Sequence, residues 1–259
     1  MTTIALPVEL HAIEKRREEE LEEARSIQNV MLPDEALHAG SVKISHAFQP
    51  VTEVGGDFLD YFQLADGCVG LYLGDVSGKG LPAAMYAALA VGTLRGVHKT
   101  GMGPSQVLAT LNRRLMIRGT TRRHAAVQYA VFDPHVRVMK IAGGGMPGPF
   151  HLSANGACRA LEVQGIPPGL FDPSVSYETL ELPLERGDSV LFFTDGLPDA
   201  FDAEDESFGL ERLQAVCAAQ SERSATDFLG EVFSAVTRFA GERPQHDDMA
   251  AAVFQYREE

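Results

Sequence analysis

Apolar positions beyond residue 40 fall into two kinds of run. Short apolar runs typical of strands cover residues 42–48, 58–64, 68–76, 125–132, 136–141, 148–152, 177–182, 188–194 and 249–256. Longer runs typical of helices cover residues 81–98, 104–118, 209–219 and 225–240. Asp66-Gly67 between two apolar runs predicts a hairpin. Because strands come in clusters with pairs of helices between them, we predict an α+β fold of antiparallel sheets covered by helices rather than a repeating βαβ fold.

The first part of the chain has another pattern. Residues 8–32 are highly charged and lack glycine, and Pro7 and Pro33 flank them, which predicts one helix. A partial heptad seam, which Arg17 interrupts, follows this helix at Leu10, Ile13, Leu21, Ala24, Gln28 and Met31. Two interpretations stay open: a solvated single helix packed by one stripe, or a linker or dimer stalk. We therefore divide the chain into an N-terminal linker or regulatory helix at residues 8–33 and a catalytic-sized domain at residues 40–259.

The overall composition is that of an ordinary soluble globular protein, with 45% hydrophobic and 22% charged residues in 259. No apolar run is long enough to span a bilayer, and the N-terminus lacks the order of a secretory signal. We therefore expect a cytoplasmic protein without a membrane span. Cys68, Cys158 and Cys217 are far apart and form no C-x-x-C pair, so we interpret them as reduced, small buried apolar residues rather than disulfides or zinc ligands.

The net charge of −14, from 22 basic and 36 acidic residues, argues against a nucleic-acid partner. One small basic cluster, which we interpret as solvated surface, consists of Arg113, Arg114, Arg118, Arg122 and Arg123. An excess of acidic residues also fits carboxylates gathered around divalent cations. That interpretation needs support from particular residues.

That support comes from acidic residues at the ends of predicted strands: Asp57, Asp75, Asp195 and the Asp247-Asp248 pair. Three of these sites have a glycine within one residue, which lets the backbone approach an ion or a phosphate closely. Oxygen ligands without His or Cys point to Mg²⁺ or Mn²⁺ rather than zinc. Each site taken alone has a structural explanation, such as a turn at Asp195-Gly196. Taken together, mutually repelling carboxylates indicate a bound cation.

The stretch from Gly74 to Gly80 invites comparison with a phosphate-binding P-loop, which its spacing rejects. The interval between Gly74 and Gly78 is one residue short, and Gly80 stands where a Ser or Thr would bind magnesium. Lys79 is either a cation that faces phosphate or a solvated loop residue, and we favour the second interpretation.

Four motifs occur in the order of a known family: Glu53-Val54-Gly55-Gly56-Asp57-Phe58-Leu59-Asp60, Gly74-Asp75-Val76-Ser77-Gly78-Lys79-Gly80, Phe193-Thr194-Asp195-Gly196-Leu197 and Asp247-Asp248-Met249. With them, the chain resembles the SpoIIE-like bacterial branch of the PPM metal-dependent Ser/Thr protein phosphatases. The resemblance covers residues 24–254, and residues 24–33 resemble the helix that precedes the catalytic domain in that branch.

The resemblance implies a sandwich of two antiparallel sheets flanked by helices, with two Mn²⁺ or Mg²⁺ ions at one end. Asp75 matches the carboxylate that bridges both ions, and the carbonyl of Val76 matches the ligand beside it. Asp195 and Asp247 match ligands of the second ion, and Asp57 matches the acidic residue of the first motif. The implied reaction is hydrolysis of phosphoserine by a water that two metal ions activate.

The resemblance also implies partners. The implied substrate is phosphoserine in a STAS-domain anti-anti-sigma factor of a partner-switching pathway that regulates a sigma factor. The N-terminal helix is implied to connect to a sensor or receiver protein and to form a homodimer. Since few residues precede this helix, we expect any sensor to be a separate protein.

Two positions depart from the family pattern. The family's Asn-Ala-Gly-His run is replaced by Ile141-Ala142-Gly143-Gly144-Gly145, and His151 lies too far along to replace the missing histidine. Pro198-Asp199 stands where the family has a Thr-Glu pair. Because neither change removes a matched ligand, we expect activity, with altered substrate positioning.

Two alternatives to an active protein phosphatase stay open. One is a catalytically idle phosphatase-like module that binds a phosphoprotein or a regulator. Retention of Asp57, Asp75, Asp195 and Asp247 argues against it, because an idle site has no reason to keep repelling carboxylates. The other is a two-metal hydrolase of a small phosphoester or nucleotide, against which the absence of Trp and of an aromatic-rich pocket argues.

Overall fold

Two antiparallel sheets form the centre of the protein, in a computed structural model that describes residues 7–117, 123–219 and 224–257. Within those residues the strands are β1 (Leu37–Ala39), β2 (Val42–Gln49), β3 (Phe58–Gln63), β4 (Val69–Val76), β5 (Ala125–Asp133), β6 (Val138–Gly144), β7 (Phe150–Leu152), β8 (Cys158–Ala160), β9 (Leu180–Pro183), β10 (Ser189–Phe193) and β11 (Met249–Tyr256). The helices are α1 (Pro7–Asn29), α2 (Leu81–Val97), α3 (Pro104–Met116), α4 (Gly209–Ala218) and α5 (Ala225–Ala240), and a 3₁₀ turn (His98–Thr100) follows α2.

Sheet A has six strands in the order β1-β2-β11-β10-β7-β8, and sheet B has five in the order β3-β4-β5-β6-β9. All strand pairs are antiparallel. The long strand β11 pairs with β2 over its whole length and with β10 over residues 251–255, and both of its faces are buried. This explains why its sequence is apolar throughout instead of alternating.

Three apolar clusters divide the core into layers. Alternate residues of β4 show the division: Leu71 and Leu73 face the cluster between the sheets, whereas Tyr72 and Val76 face the cluster under α2 and α3. The third cluster lies between sheet A and the pair α4 and α5. The order of layers is therefore helices, sheet, sheet, helices, and strand ends from both sheets meet at the edges of this sandwich.

The predicted fold class is confirmed, and so are the predicted elements, with small shifts at their ends. The hairpin at Asp66-Gly67 joins β3 to β4, with Gly67 at φ +82°. The three-residue strands β1 and β8 were not predicted, because each is too short to show an apolar pattern. The helix predicted to reach residue 118 ends at Met116, and residue 118 lies outside the described residues.

Several smaller predictions can also be placed. The helix predicted at residues 8–33 is α1, which ends at Asn29; the side chain of Leu10 in its seam lies outside the described residues. Cys68, Cys158 and Cys217 are free; Cys68 and Cys217 are buried as predicted, whereas Cys158 is half-buried. Arg113 and Arg114 are exposed in the last turn of α3, as predicted, but Arg123 is half-buried and donates to the carbonyl of Ser77. Arg118 and Arg122 lie outside the described residues. None of the helices in the described part combines the length and apolar composition needed to cross a membrane.

Candidate metal centre

Strand register brings the predicted carboxylates to one end of each sheet. In sheet B, Phe58 pairs with Gly74, so Asp57 just before β3 lies at the same edge as Asp75 near the end of β4. In sheet A, Phe193 pairs with Ala251, so Asp195 just after β10 lies at the same edge as Asp247 just before β11. We call Asp57, Asp75, Asp195 and Asp247 the carboxylate rim.

A buried hydrogen bond joins the two halves of the rim. The Thr194 Oγ1 hydroxyl donates to Asp57 Oδ2 at 2.8 Å and accepts the backbone N–H of Ala250 at 3.0 Å. Asp57 is 2% exposed and Thr194 is fully buried. The carboxylate of Asp57, which follows a loop next to sheet B, is therefore held by a residue of sheet A.

Asp248, next to the rim residue Asp247, has a different role. Its carboxylate is 4% exposed and accepts the N–H groups of Val51 and Gly56, both at 2.8 Å. A Cβ on Gly55 would overlap this carboxylate, which explains the glycine at that position. Asp248 therefore fixes the loop that leads to Asp57.

The rim carboxylates raise one another's pKa. Burial raises the pKa of Asp57 well above its ordinary value, and the charges of Asp75 and Asp248 add to this. Burial, and after it the charges of Asp195 and Asp247, raise the pKa of Asp75 to about 7, although a hydrogen bond with Asp57 lowers it. Such a group of acids becomes favourable at neutral pH when a cation neutralises it.

Asp195 differs from Asp57 in its exposure. The side chain of Asp195 is exposed. Its pKa is nonetheless raised, because the surrounding protein removes part of its hydration and because the charges of Asp199 and Asp247 repel its own. Asp199 is held close because its N–H donates to the carbonyl of Asp195 at 2.8 Å. Of the rim residues, Asp247 has an ion pair, with its Oδ2 3.6 Å from Lys79 Nζ.

The rim carries oxygen ligands of the kind that Mg²⁺ and Mn²⁺ take, the ions that the resemblance implies. As the side chains stand, no group of three or more His, Cys, Asp or Glu within the described ranges is gathered closely enough to hold a metal ion. The backbone, however, leaves a space beside the rim: a Cβ on Gly56 would lie 2.7 Å from the Val76 carbonyl oxygen and 3.0 Å from Asp75 Oδ1. These oxygen donors and the excess of negative charge in the rim fit Mg²⁺ or Mn²⁺.

Three residues near the rim have structural roles that the sequence did not assign to them: Gln28, Thr194 and Asp248. Gln28 Nε2 donates to the Gly55 carbonyl at 2.8 Å, and Gln28 Oε1 accepts the Gly55 N–H at 3.0 Å. In the sequence, Gln28 is a position of the helical seam, Thr194 lies at a strand end, and Asp248 is the neighbour of the rim residue Asp247. Thr194 and Asp248 belong to quoted motifs, and Gln28 lies in the stretch 24–33 that carries part of the resemblance, but none of these patterns specifies the contacts.

Lys79 was expected to be a solvated loop residue. It is exposed and lies just before α2, but its ammonium group also donates to the carbonyl of His246 beside Asp247. Lys79 therefore reaches the rim.

The departure at Ile141 to Gly145 from the family pattern has a structural explanation. Gly143 to Gly145 let a crossing segment approach the end of β6, where the Gly145 N–H donates to the carbonyl of Gly165 at 2.9 Å. His151 is buried in β7, with its Nε2 3.0 Å from Asp188 Oδ2, so its ring belongs to a separate polar contact.

The layered sheets are those of the PP2C protein phosphatases. The SiaA-PP2C domain of Pseudomonas aeruginosa has a TM-score of 0.85 at 22% identity, covering 95% of this chain and 99% of that one. The PP2C phosphatase domain of SpoIIE from Bacillus subtilis, with a fragment of its regulatory domain, has a TM-score of 0.71 at 16% identity, covering 84% and 64% of the two chains. By class, the fold is therefore that of a protein serine/threonine phosphatase.

The family can be stated as well. The family model described as stage II sporulation protein E (SpoIIE) matches residues 65–257, and the chain belongs to this family. The chain is also 24% identical to the phosphoserine phosphatase RsbU of Bacillus subtilis strain 168 over 254 residues, which cover 95% of this chain and 72% of RsbU. The resemblance on which the sequence analysis relied is confirmed.

Proposed function

We propose that this protein hydrolyses phosphoserine in a protein substrate, using two Mn²⁺ or Mg²⁺ ions held by the carboxylate rim and the carbonyl of Val76. The observation that carries the proposal is the convergence of four carboxylates from the ends of β3, β4, β10 and β11, with Asp57 and Thr194 joined across the sheets at 2.8 Å. Such ions activate a water for in-line attack on phosphorus and neutralise the phosphoryl oxygens.

The residues of this chain would divide the task. Asp75 lies at the centre, since the charges of both Asp195 and Asp247 act on it and Asp57 is its hydrogen-bond neighbour, and we assign it the bridging position. Val76 would add its carbonyl oxygen, to which Gly56 leaves access because it has no side chain. Thr194 would orient the carboxylate of Asp57. Asp195 and Asp247 would complete the outer part of the rim.

We further propose that the substrate is a STAS-domain anti-anti-sigma factor within a partner-switching pathway. The name of RsbU, a phosphoserine phosphatase, supports phosphoserine as the group attacked. The exposed position of Asp195 supports a rim that a folded protein can approach.

We propose that α1 connects the domain to a regulatory sensor or receiver protein and to a second copy of the chain. Most of α1 is exposed in the described part, including Ile13 at 66% and Ile27 at 63%. Apolar side chains exposed along a helix favour a helical partner. Sedimentation of the purified chain tests the homodimer, and an Ile13→Glu variant should shift it to the monomer.

Hydrolysis of a phosphoserine peptide tests the central proposal. We expect turnover that requires Mn²⁺ or Mg²⁺, that EDTA abolishes and that Asp75→Asn reduces by about two orders of magnitude or more. A wild-type chain that folds and binds Mn²⁺ but shows no turnover with any phosphoprotein would favour the idle module. Turnover of nucleotides in preference to phosphopeptides would favour the small-phosphoester hydrolase.

A further inference from the structure

Lys79 stands in a short turn between β4 and α2 that the surrounding chain holds in place. Ser77, two residues earlier, donates its N–H to the His124 carbonyl at 3.0 Å, and its Oγ accepts the His124 N–H at 3.1 Å. The Ser77 carbonyl also accepts a hydrogen bond from Arg123 Nη1. Gly80, the next residue, is the N-cap of α2. The backbone of Lys79 is therefore fixed on both sides.

The ammonium group of Lys79 lies against the carboxylate rim with donors to spare. It donates to the His246 carbonyl, and it lies 3.6 Å from Asp247 Oδ2, which is longer than a hydrogen bond. An ammonium group has three N–H donors, and among the residues that the structure describes it makes this one hydrogen bond. Because the side chain of Lys79 is 43% exposed, the remaining donors are open to a group that approaches from solvent.

The charge of the metal-loaded rim leaves a task for this cation. The four rim carboxylates would offset the positive charges of two divalent ions, so the proposed centre has no formal excess of positive charge. A phosphoserine brings a charge of about −1.5 to −2 at neutral pH. Asp248 and Asp199 lie close enough to raise the pKa of rim residues, and they add to the repulsion. A cation of the protein at this edge would supply attraction that the offset ions lack.

Metal binding would also release Lys79 from its ion pair. Asp247 is a proposed ligand, and a carboxylate whose charge is neutralised attracts an ammonium group less. The hydrogen bond to the His246 carbonyl does not depend on that charge, so it keeps the ammonium group in place. Since an exposed ion pair contributes little free energy, the exchange of Asp247 for another anion costs little.

We propose that the ammonium group of Lys79 binds the phosphoryl group of the substrate when the rim holds its ions. This role rests on the proposed function and deepens it, because it names the side chain that recognises the phosphoryl dianion. The contact differs from that of a P-loop, since a side-chain cation makes it instead of the loop amides. Lys79 is then more than the solvated loop residue that the sequence favoured.

The test variant is Lys79→Met, which keeps an unbranched side chain and removes the charge and the donors. Lys79→Arg keeps both. Lys99→Met is the matched control, because Lys99 is an exposed lysine in the 3₁₀ turn at the other end of α2. We measure Mn²⁺ affinity by calorimetry without phosphate, kcat and KM for a phosphoserine peptide, the Ki of inorganic phosphate, and the rise in melting temperature that phosphate gives the Mn²⁺-loaded protein.

For Lys79→Met we expect KM for the peptide and Ki for phosphate to rise together by about tenfold or more, the scale of hydrogen bonds to charged groups. The change in kcat should be smaller, because the contact is made in the ground state as well as in the transition state. Phosphate should raise the melting temperature of this variant less than that of the wild type.

The affinity for Mn²⁺ should respond differently from the affinity for phosphate. Without phosphate, Lys79→Met should bind Mn²⁺ as the wild type does, or up to about fivefold more tightly, because a cation that competes for Asp247 is gone. Lys79→Arg should keep a Ki for phosphate close to that of the wild type. Lys99→Met should match the wild type in every measurement.

Two results would overturn this role. The first is an unchanged Ki for phosphate in Lys79→Met. The second is a loss of turnover that follows weaker Mn²⁺ binding and recovers at high Mn²⁺, which would make Lys79 a support of the metal site instead of a phosphate ligand.

The two proposals can fail separately. If the wild type binds Mn²⁺ and hydrolyses phosphoserine while Lys79→Met keeps the same Ki for phosphate, the role of Lys79 is wrong and the proposed function stands. If the wild type binds no divalent ion or hydrolyses no phosphoserine, the proposed function is wrong, and the role of Lys79 that depends on it is wrong as well.

Discussion

Thr194 Oγ1 lies 2.8 Å from Asp57 Oδ2, and this hydrogen bond connects the sheets at the edge where the carboxylates gather. The hydroxyl donates to Asp57 while it accepts the N–H of Ala250, so both of its hydrogen-bonding functions are used in a fully buried place. The site depends on how the two sheets are joined as well as on its charged residues.

Thr194→Val should therefore weaken the fold and the site together. Valine has the shape of threonine but leaves the Ala250 N–H and the Asp57 carboxyl without this partner, which costs about 1–3 kcal/mol of unfolding free energy. Urea denaturation without metal measures this loss, and a Mn²⁺ titration should show weaker binding. Thr194→Ser keeps the hydroxyl and should stay close to the wild type in Mn²⁺ affinity; equal losses in both variants would contradict the role of the hydrogen bond.

Gly56→Ala should block the space beside the rim. The added Cβ would lie 2.7 Å from the Val76 carbonyl oxygen and 3.0 Å from Asp75 Oδ1, closer than ordinary contacts allow. We expect loss of Mn²⁺ binding by calorimetry and a destabilisation of about 1–3 kcal/mol. Gly92→Ala, in the middle of α2 with open space around its Cβ, is the matched control and should stabilise the protein by about 0.5–1 kcal/mol. Tight Mn²⁺ binding by Gly56→Ala would exclude this space as part of the site.

Asp247→Asn and Asp248→Asn should have opposite effects on turnover and on metal-free stability, although the residues are neighbours. Asp247 is half-buried at the rim, so its substitution should abolish Mn²⁺-dependent turnover with little change in metal-free stability. Asp248 is buried and accepts two backbone N–H groups at 2.8 Å, so its substitution should cost about 1.5–3 kcal/mol for each charged hydrogen bond that is lost. Thermal melts in EDTA and phosphopeptide assays of both variants separate the two roles, and a large stability loss in Asp247→Asn would reverse the assignment.

The sequence predicted which strands end in carboxylates, because an aspartate next to a glycine after an apolar run is a local pattern. The local pattern alone could not separate the roles of Asp247 and Asp248, and only the resemblance singled out Asp247 as a ligand. Adjacent residues at a strand start point in different directions, and the difference depends on a loop about 190 residues away in the chain. Gln28 shows the same limit. Its place in a heptad seam predicted that one face of α1 packs, but its partner Gly55 follows from tertiary structure alone.

The layered fold, in contrast to these contacts, could be predicted from local patterns. Apolar strands and paired helices must bury their faces on one another, and few arrangements allow it. Strand order was not predictable from these patterns. Strand β11 lies between β2 and β10, and its pairing with β2 brings together the first and the last long strand in the sequence. The rim exists because that pairing brings Asp247 to the same edge as Asp195.

The pH dependence of metal-free stability should expose the repulsion within the rim. Burial and the charges of Asp195 and Asp247 raise the pKa of Asp75 from 3.8 to about 7 in the folded chain. Between these values the folded state binds more protons than the unfolded state, so its stability falls as pH rises through this window. Asp57, whose pKa is also raised, acts in the same direction.

In EDTA, Asp75→Asn should therefore gain stability relative to the wild type on going from pH 5 to pH 7.5, because asparagine carries no charge to repel. Added Mn²⁺ should stabilise the wild type more at pH 7.5 than at pH 5, since binding requires deprotonated carboxylates, and it should do less for the variant. Melting temperatures of both proteins at the two pH values, with and without Mn²⁺, measure each difference. A stability difference between the proteins that does not vary with pH in EDTA would contradict a raised pKa for Asp75, and with it the view that the rim is a group of repelling acids that a cation stabilises.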